Sequence, residues 1–539
     1  MAVHSDSIWY LREDVYFEPL VNNWYAWPHL LPPATAARHV VKTHRRIMAS
    51  FVHNARLHVL ALKDKRMLGS EFLNCREEDV PAVKMLLEEM ERKCQELFAL
   101  SAALEMLDEM IRGHTSGLTL GPLYAHVPEP LRGYVELFFD TEHRASYRLL
   151  EALLYKSEYY AEALQSISFG MLSRVRARPF VLSTPRLADE NHIQIAVPFR
   201  NPQIDTIARA REVPLTGAEV QTLFADFTRT TSGLDMAELF TMEAPARRHE
   251  PVEAGVRLRY LGHAGFIVES SAVSIMIDPV LANCGSAATA DVFSYGQMPP
   301  KVDFVCLTHN HQDHVHLETL LQLRHKVGAV LVPKNNGGTL ADPSIRLMLK
   351  QIGFQVFEYE DLDEVHIPGG RVVAIPFLGE HGDLNIRSKT AWYIELLGRK
   401  FLFAADSTNL DERMYEKVGQ LFPHVDVLAV GMECVGAPYT WLYGALYTQK
   451  IAKAVKESRR LNGSNFEQAL PMVRAFDPKQ VYVYAMGMEP WYEYFMGIAY
   501  AEDSKQLSEA RKLIDACAAI DVKAEILFGS GSVTYPALT

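Results

Sequence analysis

A short apolar run, Phe304-Val305-Cys306-Leu307, stops abruptly at Thr308-His309-Asn310-His311-Gln312-Asp313-His314. The pattern is H-x-H-x-D-H. A buried strand followed at once by this many metal-ligating side chains constrains the fold more than any other feature of the chain. The strand must end where other segments converge, and the turn must present its polar groups to one place. Two imidazoles at i and i+2 on a turn grip one cation. The Asp and His that close the same turn face a second, and such paired cations typically sit ~3.5–4 Å apart. The competing reading, a polar turn with surface histidines, leaves the buried strand and the downstream residues unexplained.

Those downstream residues are Glu380-His381 and Asp406, each closing an apolar strand-like run (residues 371–377 and 400–405). Two cations held close together repel, and a bridging carboxylate screens them. Asp406, within Ala404-Ala405-Asp406-Ser407-Thr408, is the natural bridge. Alone, an Asp after a strand reads as a helix cap or turn residue; its company changes that.

Around these motifs, short apolar runs alternate with helical patterns from about residue 256 onward. The runs at 256–260, 274–277, 304–307, 371–377, 400–405 and 481–484 all end in polar clusters. Strands with polar C-terminal ends alternating with helices predict an α/β fold with a site at one sheet edge. The first 228 residues read as a mixed α+β domain. Pro81 starts a predicted long helix whose stripe is Val83, Leu86, Met90, Cys94, Leu97, Ser101 and Leu104. A second helical stretch is predicted over residues 141–167, and a strand over 193–197. Residues 229–255 lose periodicity and are expected to link this domain to a catalytic domain over 256–539.

The 539 residues carry 54 Lys+Arg against 66 Asp+Glu, a formal charge of −12, which argues against a nucleic-acid binder needing basic stripes. Cysteines at 75, 94, 284, 306, 434 and 517 form no C-x-x-C pair and read as reduced thiols. The N-terminus shows no apolar signal segment, and residues 427–449 contain Glu433, Pro438 and glycines, so no membrane span is expected. The expected location is the cytoplasm.

Leu261-Gly262-His263-Ala264-Gly265-Phe266, Ile277-Asp278-Pro279, the His309–His314 cluster and the Asp406 turn occur in the order found in the metallo-β-lactamase fold, which the region resembles. The resemblance implies an αββα sandwich with a dinuclear site between its sheets, with His263 and Asp278 supporting the site. Two departures from the hydrolases of this fold stand out. Their third histidine falls at Gly379-Glu380-His381-Gly382-Asp383, where either Glu380 or His381 can reach a metal. Their last falls near Ala485, where there is none. Mixed imidazole and carboxylate donors with open positions suit non-haem iron, whereas zinc has no redox chemistry and accepts imidazole-rich sites. The departures therefore point toward iron and O2.

A narrower resemblance covers almost the whole chain. Its strings include residues 10–33 (with Trp24-Tyr25-Ala26-Trp27 and Leu30-Leu31-Pro32-Pro33), Ser157-Glu158-Tyr159-Tyr160, residues 377–384, 386–390 and 403–409, then 458–466 and 482–487. In these the chain resembles the metallo-β-lactamase-fold diiron β-hydroxylases of carrier-bound amino acids. The resemblance implies one iron on His309, His311 and Glu380, a second on Asp313 and His314, and Asp406 as bridge. It implies O2-dependent hydroxylation at Cβ of an aminoacyl thioester on a nonribosomal peptide synthetase carrier domain, in natural-product biosynthesis. An external electron donor and a homodimer follow from the same resemblance, with the N-terminal domain dimerising and covering the site. Carrier surfaces are usually acidic, so Arg174-Val175-Arg176-Ala177-Arg178 and Arg459-Arg460 are candidate docking patches, or equally solvated surface arginines or internal ion pairs. Trp24–Trp27 and Glu489-Pro490-Trp491-Tyr492 are candidate channel walls or core packing. The alternatives are a zinc-dependent hydrolase of a thioester, lactone or phosphodiester, and a non-enzymatic scaffold that kept the fold.

Overall fold

A computed structural model of the chain describes residues 6–64, 67–69, 71–175, 177–223, 225, 227–229, 233–246, 248–283, 292–497 and 500–538. Cys284 and Arg176 lie outside the described residues; Cys75, Cys94, Cys306, Cys434 and Cys517 are free thiols.

Period-two alternation builds the catalytic half. In Ser274–Ile277, Ile275 and Ile277 face one core while Met276 faces another; in Val427–Gly431, Val427 and Ala429 face inward while Leu428 and Val430 face out. Strands apolar on both faces must be covered on both faces, and two such sheets stack. The first runs, edge to edge, Val356–Tyr359, Val327–Pro333, Val302–Cys306, Ser274–Ile277, Gly265–Glu269, Val256–Gly262 and Gly531–Tyr535. The second runs Glu364–Ile367, Gly370–Ile375, Ala391–Leu396, Arg399–Phe403, Val427–Gly431, Gln480–Tyr484 and Lys523–Ile526. In each, one half is antiparallel and the other parallel. Phe266, Ile275, Trp392, Phe403 and Tyr484 fill the space between them. Helices Glu412–Leu421, Phe466–Phe476 and Lys505–Ala518 cover the second sheet from outside through Tyr415, Val473 and Leu513. The first sheet is covered by Leu317–Leu323 and Ile345–Gln351 and, in one continuous apolar cluster, by the N-terminal half. The arrangement is the expected αββα sandwich behind an α+β domain.

The N-terminal half centres on an antiparallel sheet of Trp24–Tyr25, Val15–Val21, Gln165–Met171, His192–Ala196 and Thr228–Arg229. Within 229–255, expected as a linker, Phe240–Thr241 pairs with Ile8–Leu11, so the N-terminal half holds the chain as far as Thr241. Two expectations need correction. The helix from residue 80 is two, Val80–Lys93 and Gln95–Gly113, broken where Cys94 leaves helical geometry (φ −107, ψ 26); the stripe survives because every one of its residues is buried. Residues 141–167 are not one helix. Asp140 Oδ1 accepts from the backbone N–H of Glu142 and Arg144 (2.9 Å each) and turns the chain between Val135–Phe139 and Ala145–Leu149. Gln165–Met171 then pairs with Val15–Val21, a partner far away in sequence that overrides local helical pattern. Among the described residues, no helix is long and apolar enough to cross a membrane.

Candidate metal centre

Strand Val302–Cys306 lies inside the first sheet, flanked in parallel by Ser274–Ile277 and Val327–Pro333, so its C-terminal end opens onto a sheet edge. The loop that follows is stapled by Asp278. This fully buried carboxylate accepts from Thr308 N–H (2.8 Å), Thr308 Oγ1–H (2.5 Å) and His314 Nδ1–H (2.7 Å), fixing both ends of the histidine turn. The second sheet supplies the rest. Glu380 follows Gly370–Ile375, Asp406 follows Arg399–Phe403, and Ala485 follows Gln480–Tyr484.

Each histidine of the turn has one ring nitrogen occupied by a supporting group. Thr308 spends its own proton on Asp278, so His309 Nδ1–H donates to Thr308 Oγ1 (3.0 Å) and Nε2 is free. His311 donates from Nε2 to the Tyr443 hydroxyl (3.0 Å), leaving Nδ1 beside Glu380 Oε1 (2.6 Å). His314 is held through Nδ1, leaving Nε2 at 3.0 Å from Asp406 Oδ2 and 3.6 Å from Asp313 Oδ2. Fixing the tautomer through the outer nitrogen is how proteins aim an imidazole at a metal.

Ligand atoms of His309, His311 and Glu380 lie within 4.8 Å of one another, as do those of His309, His314 and Asp406, and those of His263, Asp313 and His314. His263 Nε2 sits 3.0 Å from Asp313 Oδ2, and its backbone is held by Glu489, Tyr260 and Ala485. His381 belongs to none of these groups; its Nδ1 backs onto Glu380 Oε2 at 2.8 Å. Ala485, where a late histidine would stand, is buried and offers no donor.

The donor set fits a pair of metal ions. His309 Nε2 and Asp406 Oδ1 are buried without a hydrogen-bond partner. Leaving such atoms bare costs ~1–3 kcal/mol each, more for charged groups, and a cation between them removes that penalty. The electrostatics are those of a site awaiting positive charge. Burial raises the Asp406 carboxyl, His314 opposes it, and Glu380 and Asp313 push it up further. Burial works against a charged His314, but Asp313, Asp406 and Asp278 outweigh it and raise the ring well above its ordinary value. Burial followed by the neighbouring imidazoles holds His309 neutral, well below the usual range. Burial and crowding also leave His381 at about 4 despite the pull of Glu380.

Backbone strain gathers here as well. His263, Asp278, Glu380, Ala405 and Ala485 all take positive φ (38–69°), a conformation that costs a non-glycine residue about 1–3 kcal/mol. At Gly379 (φ 71) a Cβ would lie 2.6 Å from Thr408 Cβ, so the turn carrying Glu380 presses against the turn carrying Asp406.

A small cavity of about 60 Å3 opens onto His311, Asp313, Glu380 and Asp406, with Phe180, Leu182, Trp441 and Phe495 among its walls. A larger one of about 630 Å3 lies beyond Phe180, which borders both, and includes Trp491 and Tyr494. Phe180, Leu182, Tyr443 and Glu433 are functional candidates that carry no sequence motif; only the fold brings them to the site.

In the two basic runs, the described guanidinium groups have internal partners, with Arg176 outside the described residues. Arg178 is buried, bonded to Glu18 (2.8 Å) and Glu318 (2.6 Å) and stacked over Tyr16 and Tyr494. Arg174 pairs with Glu238. Arg459 donates to the Gly382 carbonyl (2.6 Å) over the Tyr439 ring, and Arg460 to the Gly436 carbonyl (3.0 Å). Arg178, Arg459 and Arg460 serve the fold, while Arg174 stays exposed. Trp24 stacks on His44 (3.9 Å) and Trp27 packs on His29 and His39, so that aromatic cluster is core; Trp491 borders the larger cavity.

Residues 10–245 match the diiron non-haem β-hydroxylase N-terminal domain, and residues 274–483 match the β-lactamase superfamily domain. The 4-amino-L-phenylalanyl-[CmlP-peptidyl-carrier-protein] 3-hydroxylase of Streptomyces venezuelae is 38% identical over 512 residues, covering 94% of this chain and 95% of its own. The crystal structure of CmlA, a diiron β-hydroxylase from Streptomyces venezuelae, superposes with a TM-score of 0.90 at 37% identity, over 98% of this chain and all of that one. A glutamate-to-aspartate mutant of CmlA superposes with a TM-score of 0.88 over the same shares.

Proposed function

The chain belongs to the diiron non-haem β-hydroxylase family, and from that premise we propose that it hydroxylates Cβ of an aminoacyl group tethered as a thioester to a nonribosomal peptide synthetase carrier domain. The observation that carries this is the likeness to a carrier-protein-dependent 3-hydroxylase over 94% of the chain, through both domains. His309, His311 and Glu380 would hold one iron and Asp313 and His314 the other, with Asp406 serving both. The convergence of these donors, in which His381 takes no part, supports that assignment over His381. His263, Asp278, Thr308 and Tyr443 act through the ligands by fixing their orientation.

When bound, the two irons supply the electrons for O2 activation and C–H oxidation. The protein's part is placement and exclusion of water. Phe180, Leu182, Trp441 and Phe495 keep the metal cavity apolar on the side away from the ligands. The tethered aminoacyl group comes in from the larger cavity past Phe180, which lines both cavities. Ala485 in place of a late histidine weighs against a zinc hydrolase. A homodimer formed through the N-terminal half, an external electron donor and a cytoplasmic location complete the proposal on the family resemblance.

The test loads candidate amino acids on the partner carrier domain, adds reduced enzyme and O2, and weighs the product. Gain of one oxygen atom on the acyl group is expected. Thioester hydrolysis by a zinc-loaded protein without oxygen gain would overturn the proposal.

A further inference from the structure

Strand Val427–Gly431 ends against the Asp406 turn so closely that a Cβ at Gly431 would collide with Asp406 Oδ1. Two residues on, Glu433 lines the metal cavity together with His311, Asp313, Glu380 and Asp406. It belongs to none of the convergent ligand groups. Its Oε1 accepts from the Tyr500 hydroxyl at 3.1 Å, and among the described residues no Lys, Arg or His lies within ion-pair distance of it. Asp406, Asp313 and Glu380, all of its own sign, line the same cavity. The other side of the cavity, formed by Phe180, Leu182, Trp441 and Phe495, is apolar.

A carboxyl group in such a place is charged only when a cation faces it. Asp313, Glu380 and Asp406 would be answered by the metal ions, and Glu433, outside the ligand groups, would be left over. An aminoacyl thioester brings one cation of its own into the site, the α-ammonium, attached to the carbon next to the Cβ that is oxidised. We propose that Glu433, steadied by Tyr500, is the substrate-binding residue that pairs with the α-ammonium of the aminoacyl thioester, and so turns the neighbouring Cβ toward the metal pair. The assignment rests on the hydroxylase function proposed above. It makes the free amino group a requirement of the enzyme: N-acylated or des-amino acyl carriers leave half-buried Glu433 without its partner. A site built around one polar group rejects the analogue lacking it far more strongly than a change of apolar size.

The experiment compares two acyl groups on the same carrier: the aminoacyl group that gains oxygen best, and the same group without its amino nitrogen. The holoenzyme is used as wild type, Glu433→Gln and Glu433→Asp, with iron content and the visible spectrum recorded for each. Wild type is expected to prefer the aminoacyl carrier by about 100-fold in kcat/KM, mostly through KM. Glu433→Gln should keep both irons and an unchanged spectrum, lose about 10- to 100-fold on the aminoacyl carrier, and shrink the preference to within a few-fold. Glu433→Asp should retain part of it. Equal wild-type rates on both carriers would overturn the assignment while leaving the hydroxylase function standing. Loss of an iron in Glu433→Gln would make Glu433 a metal ligand and overturn it too. Wild type that adds oxygen to no aminoacyl carrier would remove the function and this role together.

Discussion

At the scale of single residues, the site is a set of imidazoles aimed by their outer nitrogens. Tyr443 is the clearest case, because its hydroxyl alone occupies His311 Nε2 while Nδ1 faces Glu380. Tyr443→Phe removes that acceptor and lets the ring choose its tautomer. Iron affinity should fall about 10- to 100-fold, read by competition with a chelator; an unchanged affinity would show that His311 needs no such support. The histidine turn was legible in the sequence because its donors lie within a few residues of each other, and a buried strand before them leaves little freedom. Tyr443 was not legible, since its only signal is membership of an aromatic-rich stretch, and aromatics there read equally as core. The choice between Glu380 and His381 was open for a physical reason: adjacent residues on a turn point in directions set by φ, and Glu380 takes the left-handed value of 69° that no pattern announces.

At the scale of elements, Arg178 ties strand Val15–Val21 to helix Leu317–Leu323 by bonding Glu18 and Glu318 at once, with Arg186 bonding Glu18 as well. Arg178→Ala leaves Glu318 without its guanidinium in the interior and should cost about 3–5 kcal/mol, measured by denaturant unfolding. A loss below 1 kcal/mol would mean that water or Asn283 compensates. The same cluster predicts a pH dependence. Burial raises the Glu18 carboxyl, but Arg186 and Arg178 outweigh it and hold it at about 2 against an ordinary 4.5. A folded value below the unfolded one stabilises the fold in full above about pH 4.5, and that stabilisation is lost as pH falls toward 2. The melting temperature should therefore drop across this window, and drop less steeply in Arg178→Ala; parallel curves for the two proteins would contradict the account. Elements also mark where sequence reading failed. The hairpin at Val135–Leu149 depends on one aspartate's turn geometry, and strand Gln165–Met171 on a partner at Val15–Val21. Basic runs near 174–178 and 459–460 suggested a surface because charge is normally solvated; here Arg178 is claimed by buried carboxylates and Arg459 by a carbonyl, while Arg174 stays exposed.

At the scale of the whole molecule, the two halves share one apolar cluster, and the N-terminal half places Phe180 and Leu182 over a metal cavity whose donors all come from the other half. Phe180→Ala should leave the iron content intact yet admit water and O2 without substrate, so the reduced protein should oxidise on standing at least several-fold faster than wild type. An unchanged rate would place the barrier elsewhere. The sandwich and the order of its motifs were readable from the strand ends, whereas the cover was not, because apolar residues from a distant domain carry no mark of what they pack against. The central claim is that Asp406 and its neighbours hold two irons that serve hydroxylation. It is tested most directly by counting metals in purified, active protein and in Asp406→Ala alongside oxygen gain on the carrier-bound acyl group. The account predicts about two irons per chain with oxygen gain in wild type, and neither in the variant; full activity with zinc alone, or iron and product retained in Asp406→Ala, would contradict it.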